Sequence, residues 1–300
     1  MNKFLMGILA GLTILAFTVS ASAMSMTFDN WGFNPNGLGN APADGYVNPI
    51  DEMTLLGLTL TNSIPTGAVG NGVGTFTALT TFQSTGFQNN SVVVSVPGTS
   101  TYEITGVMNL TGSYARNPVS FLNELTFSTG TMEMYLDNSM DYGNTVSTST
   151  FFGADNGNLI GKFVLDHGTG SMDYLIAKPD GLVDLVWGTD SSLLTAGYWF
   201  NQDGFDLTSL SPLQYLTLAI TDSNNTYIDT MSEAQIIEFT TDTGMDWSQA
   251  NDDLRIQTFS SNNGSYVLGT SPVPEPATML LFGIGLCGIA RVGRKNTLKV

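Results

Sequence analysis

A run of oxygen-bearing side chains between residues 222 and 233 has the spacing of a calcium-binding loop. Asp222 and Asn224 lie two residues apart, and Asp229 and Glu233 follow, with Glu233 at the twelfth position counted from Asp222. Carboxylate and amide oxygens at such intervals bind Ca²⁺ in an EF-hand loop. Tyr227, however, stands where the sharp turn of that loop requires glycine. We therefore predict a calcium loop without EF-hand geometry, and a solvated polar turn is the alternative.

Two further acidic clusters have the same character. One contains Asp137, Asn138 and Asp141, and the other contains Asp203 and Asp206. Each offers oxygen ligands for calcium, and each is equally consistent with a polar turn. The sequence predicts no other cofactor.

The sequence gives little basis for catalysis. His167 is the sole histidine and lies in residues 165–170, which we predict to form a hairpin turn, and no G-x-S-x-G motif accompanies it. Two carboxylates can hydrolyse a glycosidic bond, and Glu103, Glu124 and Glu133 are examples of acids that such a pairing could include. Outward-facing acids on strands are an adequate alternative explanation for all three. Their separation does not follow from the sequence. We therefore predict that the protein is not an enzyme.

Adjacent aromatic residues at 198–200 suggest contact with carbohydrate. Tyr198 and Trp199 would stack on the apolar faces of sugar rings if they were exposed. The alternative is that these side chains belong to the core.

The elements that would position these residues are strands. Segments rich in Val, Ile, Phe, Tyr and Thr recur, separated by Gly, Asn, Asp and Pro. The predicted strands cover residues 54–61, 75–82, 91–96, 102–110, 131–136, 159–166, 172–177, 182–187, 215–221, 236–240 and 254–259. This pattern predicts an all-β fold, an antiparallel β-sandwich with a small second β subdomain beginning near residue 222.

Alternation within two segments predicts which side chains face the core. Met132, Met134 and Leu136 interleave with Glu133, Tyr135 and Asp137, and Phe163 and Leu165 interleave with Lys162, Val164 and Asp166. Outside the strands, residues 28–49 are predicted to form an irregular leader that lies on the sheet. Residues 264–273 are predicted to be an extended tether that follows a secreted body over residues 24–263.

Composition excludes some classes of partner. The 300 residues contain 9 Lys and Arg against 26 Asp and Glu, a net charge of −17, so nucleic acid is not an expected partner. Hydrophobic residues at 42% and aromatic residues at 10% exclude a chain disordered throughout. The single cysteine, Cys287, lies close to the C-terminus, so the preceding chain has no disulfide or thiolate chemistry.

The N-terminal residues have the three parts of a secretory signal peptide. Lys3 precedes an apolar run over residues 4–19, and Ala21 and Ala23 form an A-x-A site. We predict that signal peptidase cleaves after Ala23, so that the mature chain begins at Met24. A core helix or a permanent membrane anchor is the alternative.

The C-terminal residues form a second tripartite segment. Val273, Pro274, Glu275 and Pro276 precede an apolar run over residues 277–290, which is followed by the basic residues Arg291, Arg294 and Lys295. The run is marginally long enough to enter a bilayer as a helix, and the basic cluster would hold its end on the cytoplasmic side. The alternative, a soluble core helix, would show a polar stripe that this run lacks.

This segment, over residues 274–300, resembles the PEP-CTERM sorting signal of Gram-negative, biofilm-forming bacteria. The resemblance implies processing by an exosortase, transient passage through the inner membrane, and a final location at the cell surface or in the extracellular matrix. It also implies association with exopolysaccharide. A mature chain from Met24 to about Pro276 would retain four cationic residues against 26 acids, a net charge of −22.

A weaker resemblance concerns the turn motifs at 197–207 and 221–225. These are similar to flocculation-associated PEP-CTERM proteins. We therefore expect a non-catalytic structural or adhesive role in biofilm or floc formation. The alternatives are a secreted polysaccharide-active enzyme and an adhesion module that binds calcium or carbohydrate.

Overall fold

The computed structural model describes residues 27–28, 30–37, 45–66, 72–97, 101–117, 119, 122–143, 151–173, 180–189, 192–209, 215–227 and 257–271. The predicted signal peptide with Ala21, Ala23 and Met24, the strand at 236–240 and the segment from Val273 onward lie outside them. The described strands are β1 (Thr27–Phe28), β2 (Trp31–Phe33), β3 (Val47–Ile50), β4 (Glu52–Pro65), β5 (Val73–Asn89), β6 (Val92–Ser95), β7 (Glu103–Arg116), β8 (Asn123–Asp137), β9 (Asn158–Asp173), β10 (Asp180–Thr189), β11 (Trp199–Asn201), β12 (Tyr215–Tyr227) and β13 (Gln257–Ser271). The prediction of an all-β, antiparallel fold is confirmed.

Eight of the described strands close into a ring. Hydrogen bonding runs from β4 through β5, β7, β8, β9, β10 and β12 to β13. β13 then pairs antiparallel with β4, with Gln257 opposite Asn62 and Tyr266 opposite Met53. Because the last strand returns to the first, the ring strands leave no long unpaired edge between them.

Alternation along the strands divides the ring into an inner and an outer face. The predicted inner residues of β8, Met132, Met134 and Leu136, are buried in the main core, as are Phe163 and Leu165 of β9. Lys162, Val164 and Asp166 are exposed, as predicted. The two-residue period of a strand is sufficient to explain this division.

The predicted irregular leader contains regular structure. β2 lies within residues 28–49, and β3 begins within them and ends at Ile50. These two strands form a three-stranded sheet with β11 in the order β11-β2-β3. Trp31 and Phe33 of β2 are buried in the main core. The ring of Trp31 lies 5.5 Å from that of Trp199 and 5.7 Å from that of Phe87. The prediction of an irregular segment is wrong for these strands, because the aromatic side chains bury against the core and fix the backbone.

The predicted tether is also part of the folded body. β13 continues to Ser271, and Gly264 pairs with Leu55 of β4. Tyr266 is completely buried. The tether prediction is wrong for residues 264–271, because pairing with β4 holds a segment whose Gly and Ser residues have weak strand preference of their own.

Two predicted breaks in the chain fall inside strands. The predicted hairpin turn at 165–170 lies within β9, where His167 pairs with Val186 of β10. The proposed subdomain boundary near residue 222 lies within β12, which pairs with β10 at Ile220 and again at Ser223 after a shift in register. Residues 27–270 form one compact unit. Polar and glycine residues mark turns only where no neighbouring strand pairs with them.

Candidate cation site on the outer face of the sheet

The connection between β8 and β9 crosses back over the outer face of the ring. We call its described parts, residues 138–143 and 151–157, the strap. Phe152 and Ala154 of the strap are buried in a second hydrophobic cluster with Leu60, Leu79 and Val107, which lie on the outer faces of β4, β5 and β7. The hydroxyl of Thr105 donates to the carbonyl of Ala154 at 2.8 Å. The strap therefore buries a part of the sheet that would otherwise face solvent.

The strap has a strained backbone where it descends to the sheet. Phe151 and Phe152 have φ values of 48° and 58°, in the left-handed region that non-glycine residues rarely adopt. Gly153 follows with a φ of 79°. A Cβ at Gly153 would lie 2.4 Å from Oδ1 of Asp141, so glycine is required there on both counts. Burial of Phe152 offsets the cost of this conformation.

Three carboxylates meet beside this descent. Glu103 begins β7, Asp137 ends β8 directly opposite it, and Asp141 lies in the strap. One carboxylate oxygen from each lies within 4.8 Å of those of the other two. Glu103 is 1% exposed and Asp137 is 7% exposed. The register of β7 and β8 and the path of the strap together create this acidic cluster.

The carboxylate of Glu103 holds the strap against the sheet. Its Oε1 accepts hydrogen bonds from the backbone N–H groups of Asp141 at 2.9 Å and Tyr142 at 3.0 Å. Its Oε2 accepts a hydrogen bond from Nε2 of Gln83 on β5 at 2.5 Å. The phenol of Tyr142 in turn lies 3.2 Å from the hydroxyl of Thr81. One buried carboxylate thus links β5, β7 and the strap.

The carboxylates of Asp137 and Asp141 have different surroundings. Oδ1 of Asp137 accepts a hydrogen bond from the backbone N–H of Ser139 at 2.8 Å, whereas its Oδ2 is buried and has no hydrogen-bond partner among the described residues. Both carboxylate oxygens of Asp141 accept from Nδ2 of Asn156 at 3.1 Å. A buried acceptor without a partner is uncommon and costs free energy.

The three carboxylates of the acidic cluster repel one another when they are ionised. Burial raises the pKa of Glu103, hydrogen bonds from Tyr142, Asp141 and Gln83 oppose that shift, and the nearby charge of Asp137 adds to it. Within the described part of the chain, no lysine or arginine forms an ion pair with any member of the cluster, and Lys162 instead pairs with Glu133. Among the described residues, the cluster therefore holds two buried carboxylates and one half-buried carboxylate with no ion pair to a lysine or arginine.

Comparison with protein families identifies the C-terminal segment. The model of the PEP-CTERM protein-sorting motif matches residues 272–295. The chain carries a PEP-CTERM sorting motif. The match contains Val273 to Pro276 and the basic residues Arg291, Arg294 and Lys295, as the sequence predicts. The motif implies an exosortase as processing partner and export across the membrane to the cell surface. The chain has no match among curated proteins or solved structures.

No helix in the part of this chain that the structure describes has the length and apolar character of a membrane span. The apolar run at 277–290 lies outside that part.

The structure describes some of the predicted calcium ligands and brings two of them together. Asp222 and Asn224 lie in β12, where Asn224 pairs with Leu182, whereas Asp229 and Glu233 lie outside the described residues. Asp206 is occupied in its own turn, because its carboxylate accepts from the backbone N–H groups of Gly197 at 2.7 Å and Thr208 at 2.8 Å. Asp137 and Asp141 are brought together, but with Glu103, which the sequence gives no reason to group with them.

The three glutamates considered for glycoside hydrolysis do not converge. Glu103 is opposite Asp137, four residues from Glu133, which corresponds to about 13 Å along the strand. Glu124 lies nine residues before Glu133 on β8, about 30 Å away. Catalytic carboxylate pairs are about 5 to 10 Å apart. Glu103 and Asp137 are close to each other, but their side chains are buried, at 1% and 7% exposed among the described residues.

The predicted carbohydrate contact at Trp199 is wrong. Trp199 is 1% exposed, and its Nε1 donates to the carbonyl of Ile160 at 2.7 Å. Its neighbour Tyr198 is partly buried and stacks on Phe33 with the ring centroids 6.4 Å apart. β11 pairs with β2, and this pairing directs the side chain of Trp199 into the core.

A groove on the outer face of the ring is lined partly by hydroxyl and amide groups. It has a volume of about 660 Å³ and crosses β5, β7, β8 and β9 beside the strap residue Phe151. Its polar lining includes Thr77, Asn109, Thr111, Thr129 and Thr131. The hydroxyls of Thr111 and Thr129 lie 2.7 Å apart. Hydroxyl and amide groups beside one aromatic ring form a surface suited to carbohydrate.

Proposed function

We propose that this protein is an exported, non-catalytic structural or adhesive component of the cell surface or extracellular matrix of a Gram-negative bacterium. In this proposal, signal peptidase removes residues 1–23, and an exosortase cuts near Pro276 while residues 277–290 lie in the inner membrane. The product then contributes to biofilm or floc formation together with exopolysaccharide. The observation that carries the proposal is the sorting motif at residues 272–295.

The character of the folded body supports a role outside the cell. The chain is strongly acidic, with 26 Asp and Glu, and a body with this charge repels anionic polymers unless cations mediate the contact. The ring closes without a disulfide among the described residues, so its stability derives from the core and from the pairing of strands. Such a body needs no redox environment in order to remain folded.

The proposal is tested first by the intact mass of the protein from its native host. We compare parent cells with a strain that lacks the exosortase. The expected product in parent cells begins at Met24 and ends near Pro276. In the mutant strain, the chain should also begin at Met24, but its C-terminus should not be cut near Pro276. A C-terminus at Val300 in both strains contradicts sorting.

Variants of the motif sharpen this test. Glu275→Gln removes the charge of the motif with little change in shape, and Pro272→Ala is a matched control that lies outside the Pro-Glu-Pro triplet. Processing should fail in the first variant and continue in the second. A deletion strain should then aggregate less than the parent. Normal aggregation together with normal processing would contradict the adhesive role but not the sorting.

A second candidate function is an adhesion module that binds carbohydrate, and the outer-face groove is the observation that favours it. Asn109→Ala should weaken binding to the host's exopolysaccharide in isothermal titration calorimetry, because it removes an exposed amide from the groove. Asn263→Ala, at an exposed position on β13, is the control. Equal heats for both variants would remove this candidate.

A further inference from the structure

We propose that Glu103, Asp137 and Asp141 form a calcium site that fastens the strap to the sheet. This site is distinct from the run at 222–233 and lies on the outer face of β7 and β8. The inference goes beyond sorting and adhesion, and it concerns the folded body alone.

The geometry of the three carboxylates fits one cation. A Ca²⁺ ion accepts oxygen ligands at about 2.3 to 2.6 Å, so ligands on opposite sides of it are separated by at most about 5 Å. The three oxygens lie within 4.8 Å of one another. An ion between them would contact one carboxylate from β7, one from β8 and one from the strap. The remaining ligand positions would be filled by water or by other oxygens of the site.

Asp137 provides independent evidence for a missing ligand. The residue is more than nine-tenths buried, and its Oδ2 has no hydrogen-bond partner in the part of the chain that the structure describes. An ionised carboxylate only accepts, so its partner must be a donor or a cation. The described residues around it supply neither for Oδ2. A cation beside Asp137 would satisfy this oxygen and compensate the repulsion between Asp137 and Glu103.

The chemistry of the ligands selects the type of cation. The acidic cluster offers only carboxylate oxygens, which favour hard ions over zinc or copper, whose sites usually include histidine or cysteine. Magnesium requires near-ideal octahedral geometry and usually keeps several waters, which suits a site with two buried carboxylates poorly. Calcium tolerates irregular coordination and binds extracellular modules with dissociation constants of about 10⁻⁴ to 10⁻³ M.

The location of the site determines what the ion would do. Glu103 already binds the backbone at Asp141 and Tyr142, and Asp141 lies against Gly153, the point at which the strap descends. An ion shared by Glu103, Asp137 and Asp141 would join the first part of the strap to the strand pair beneath, and Asn156 in its second part already donates to the carboxylate of Asp141. Phe151 of the strap also borders the outer-face groove, so the ion would stabilise one wall of that groove.

The rival arrangement is a proton shared between Glu103 and Asp137. Two carboxylates held in contact can retain one proton between them instead of binding a metal. In that case calcium would have no effect on the protein. The Asp137→Asn variant, which replaces the charge by a neutral group of the same shape, would then be at least as stable as the wild type.

The test uses the full chain purified after treatment with EDTA, and the probe is Ca²⁺ alone in isothermal titration calorimetry. We expect one ion per chain and a calcium-dependent rise in the melting temperature. Asp137→Asn and Asp141→Asn should each weaken calcium binding by at least about tenfold, comparable to or greater than the loss of a supporting group at a metal site. Asp166→Asn, which changes an exposed acid on β9, is the matched control and should bind as the wild type does.

A second readout keeps the proposal falsifiable if one variant does not fold. Tb³⁺ replaces Ca²⁺ in oxygen sites, and its emission under tyrosine excitation should depend on Tyr142, which follows Asp141 directly. Competition by Ca²⁺ should remove the signal. Absence of calcium heat from the wild type, or equal binding by wild type and Asp141→Asn, would overturn the proposal. Because these measurements need no exosortase, their failure leaves the sorting proposal unaffected.

Discussion

The phenolic oxygen of Tyr266 lies 3.4 Å from the sulfur of Met132 and 3.7 Å from the sulfur of Met108. Tyr266 belongs to β13, the strand that closes the ring. Met132 of β8 and Met108 of β7 lie on the inner face of the ring. The last described strand therefore reaches into the core formed by the middle of the chain. This contact shows that the body extends beyond residue 263.

The first prediction concerns the energetic weight of Tyr266. Tyr266→Ala should lower the free energy of unfolding by about 3 to 5 kcal/mol, because it empties a large site in a packed core. Tyr266→Phe should cost about 1 kcal/mol or less, since it removes only a bond to a weak sulfur acceptor. Urea denaturation at neutral pH measures both. A negligible effect of the alanine variant would contradict the assignment of this segment to the core.

The second prediction uses the ionisation of the same residue. Burial raises the pKa of Tyr266 well above its ordinary value. A group with a raised folded-state pKa stabilises the protein below its unfolded-state pKa, near 10 for tyrosine, and loses that contribution as the pH rises. Above about pH 10, the unfolding free energy of the wild type should therefore fall more steeply than that of Tyr266→Phe, by about 1.4 kcal/mol per pH unit. Parallel pH profiles for the two proteins would contradict this burial.

The third prediction concerns the ion pair on the outer face of β8 and β9. A hydrogen bond from Lys162 and a second from Tyr135 lower the pKa of Glu133. A carboxyl group with a lowered folded-state pKa stabilises above its unfolded-state pKa and loses that contribution as the pH falls. Glu133→Gln should cost up to about 1 kcal/mol at pH 7, a small value because both side chains are partly exposed.

The measurement for Glu133 is a comparison of urea denaturation at pH 7 and in acid. The difference between wild type and Glu133→Gln should shrink as the pH falls below about 4, where the carboxyl group becomes protonated. Glu124→Gln, which changes an acid on the same strand that has no ion pair with the described lysine, serves as the comparison. A deficit that persists unchanged in acid would mean that charge is not its cause.

The fourth prediction concerns the strap. Phe152 is buried in the second hydrophobic cluster, whereas Phe205 is 64% exposed. Phe152→Ala should lower the free energy of unfolding by about 3 kcal/mol, and Phe205→Ala should change it by about 0.5 kcal/mol or less. Denaturation of both variants measures the difference. Equal stabilities would mean that the strap adds nothing to the body through this side chain.

Part of the fold follows directly from the chain. In β8, the alternation of Met132, Met134 and Leu136 with polar residues predicts the buried face, because the period of a strand is local. The same pattern predicts an outer position for Asp137, which is correct, and solvent exposure, which is not. Asp137 is buried with Gly157, at the end of the strap, close beside it, and the path of a connection does not follow from periodicity.

Contacts between segments that are distant in the sequence decide the positions that local patterns do not predict. The placement of Trp199 in the core depends on its pairing with Phe33, and the inclusion of residues 264–271 depends on β4. Weak local preference in such segments is overridden by a partner strand that is distant in the sequence. A prediction from composition alone therefore assigns Trp199 to the surface and residues 264–271 to a tether.

The sequence by itself determined the sorting motif and the all-β class, because an enzyme that processes a terminus reads a linear segment and because strand periodicity is local. The tertiary structure alone decided the ring closure by β13 and the meeting of Glu103, Asp137 and Asp141. Register between strands is fixed by the packing of the whole sheet, so it can bring together carboxylates that no spacing in the sequence relates.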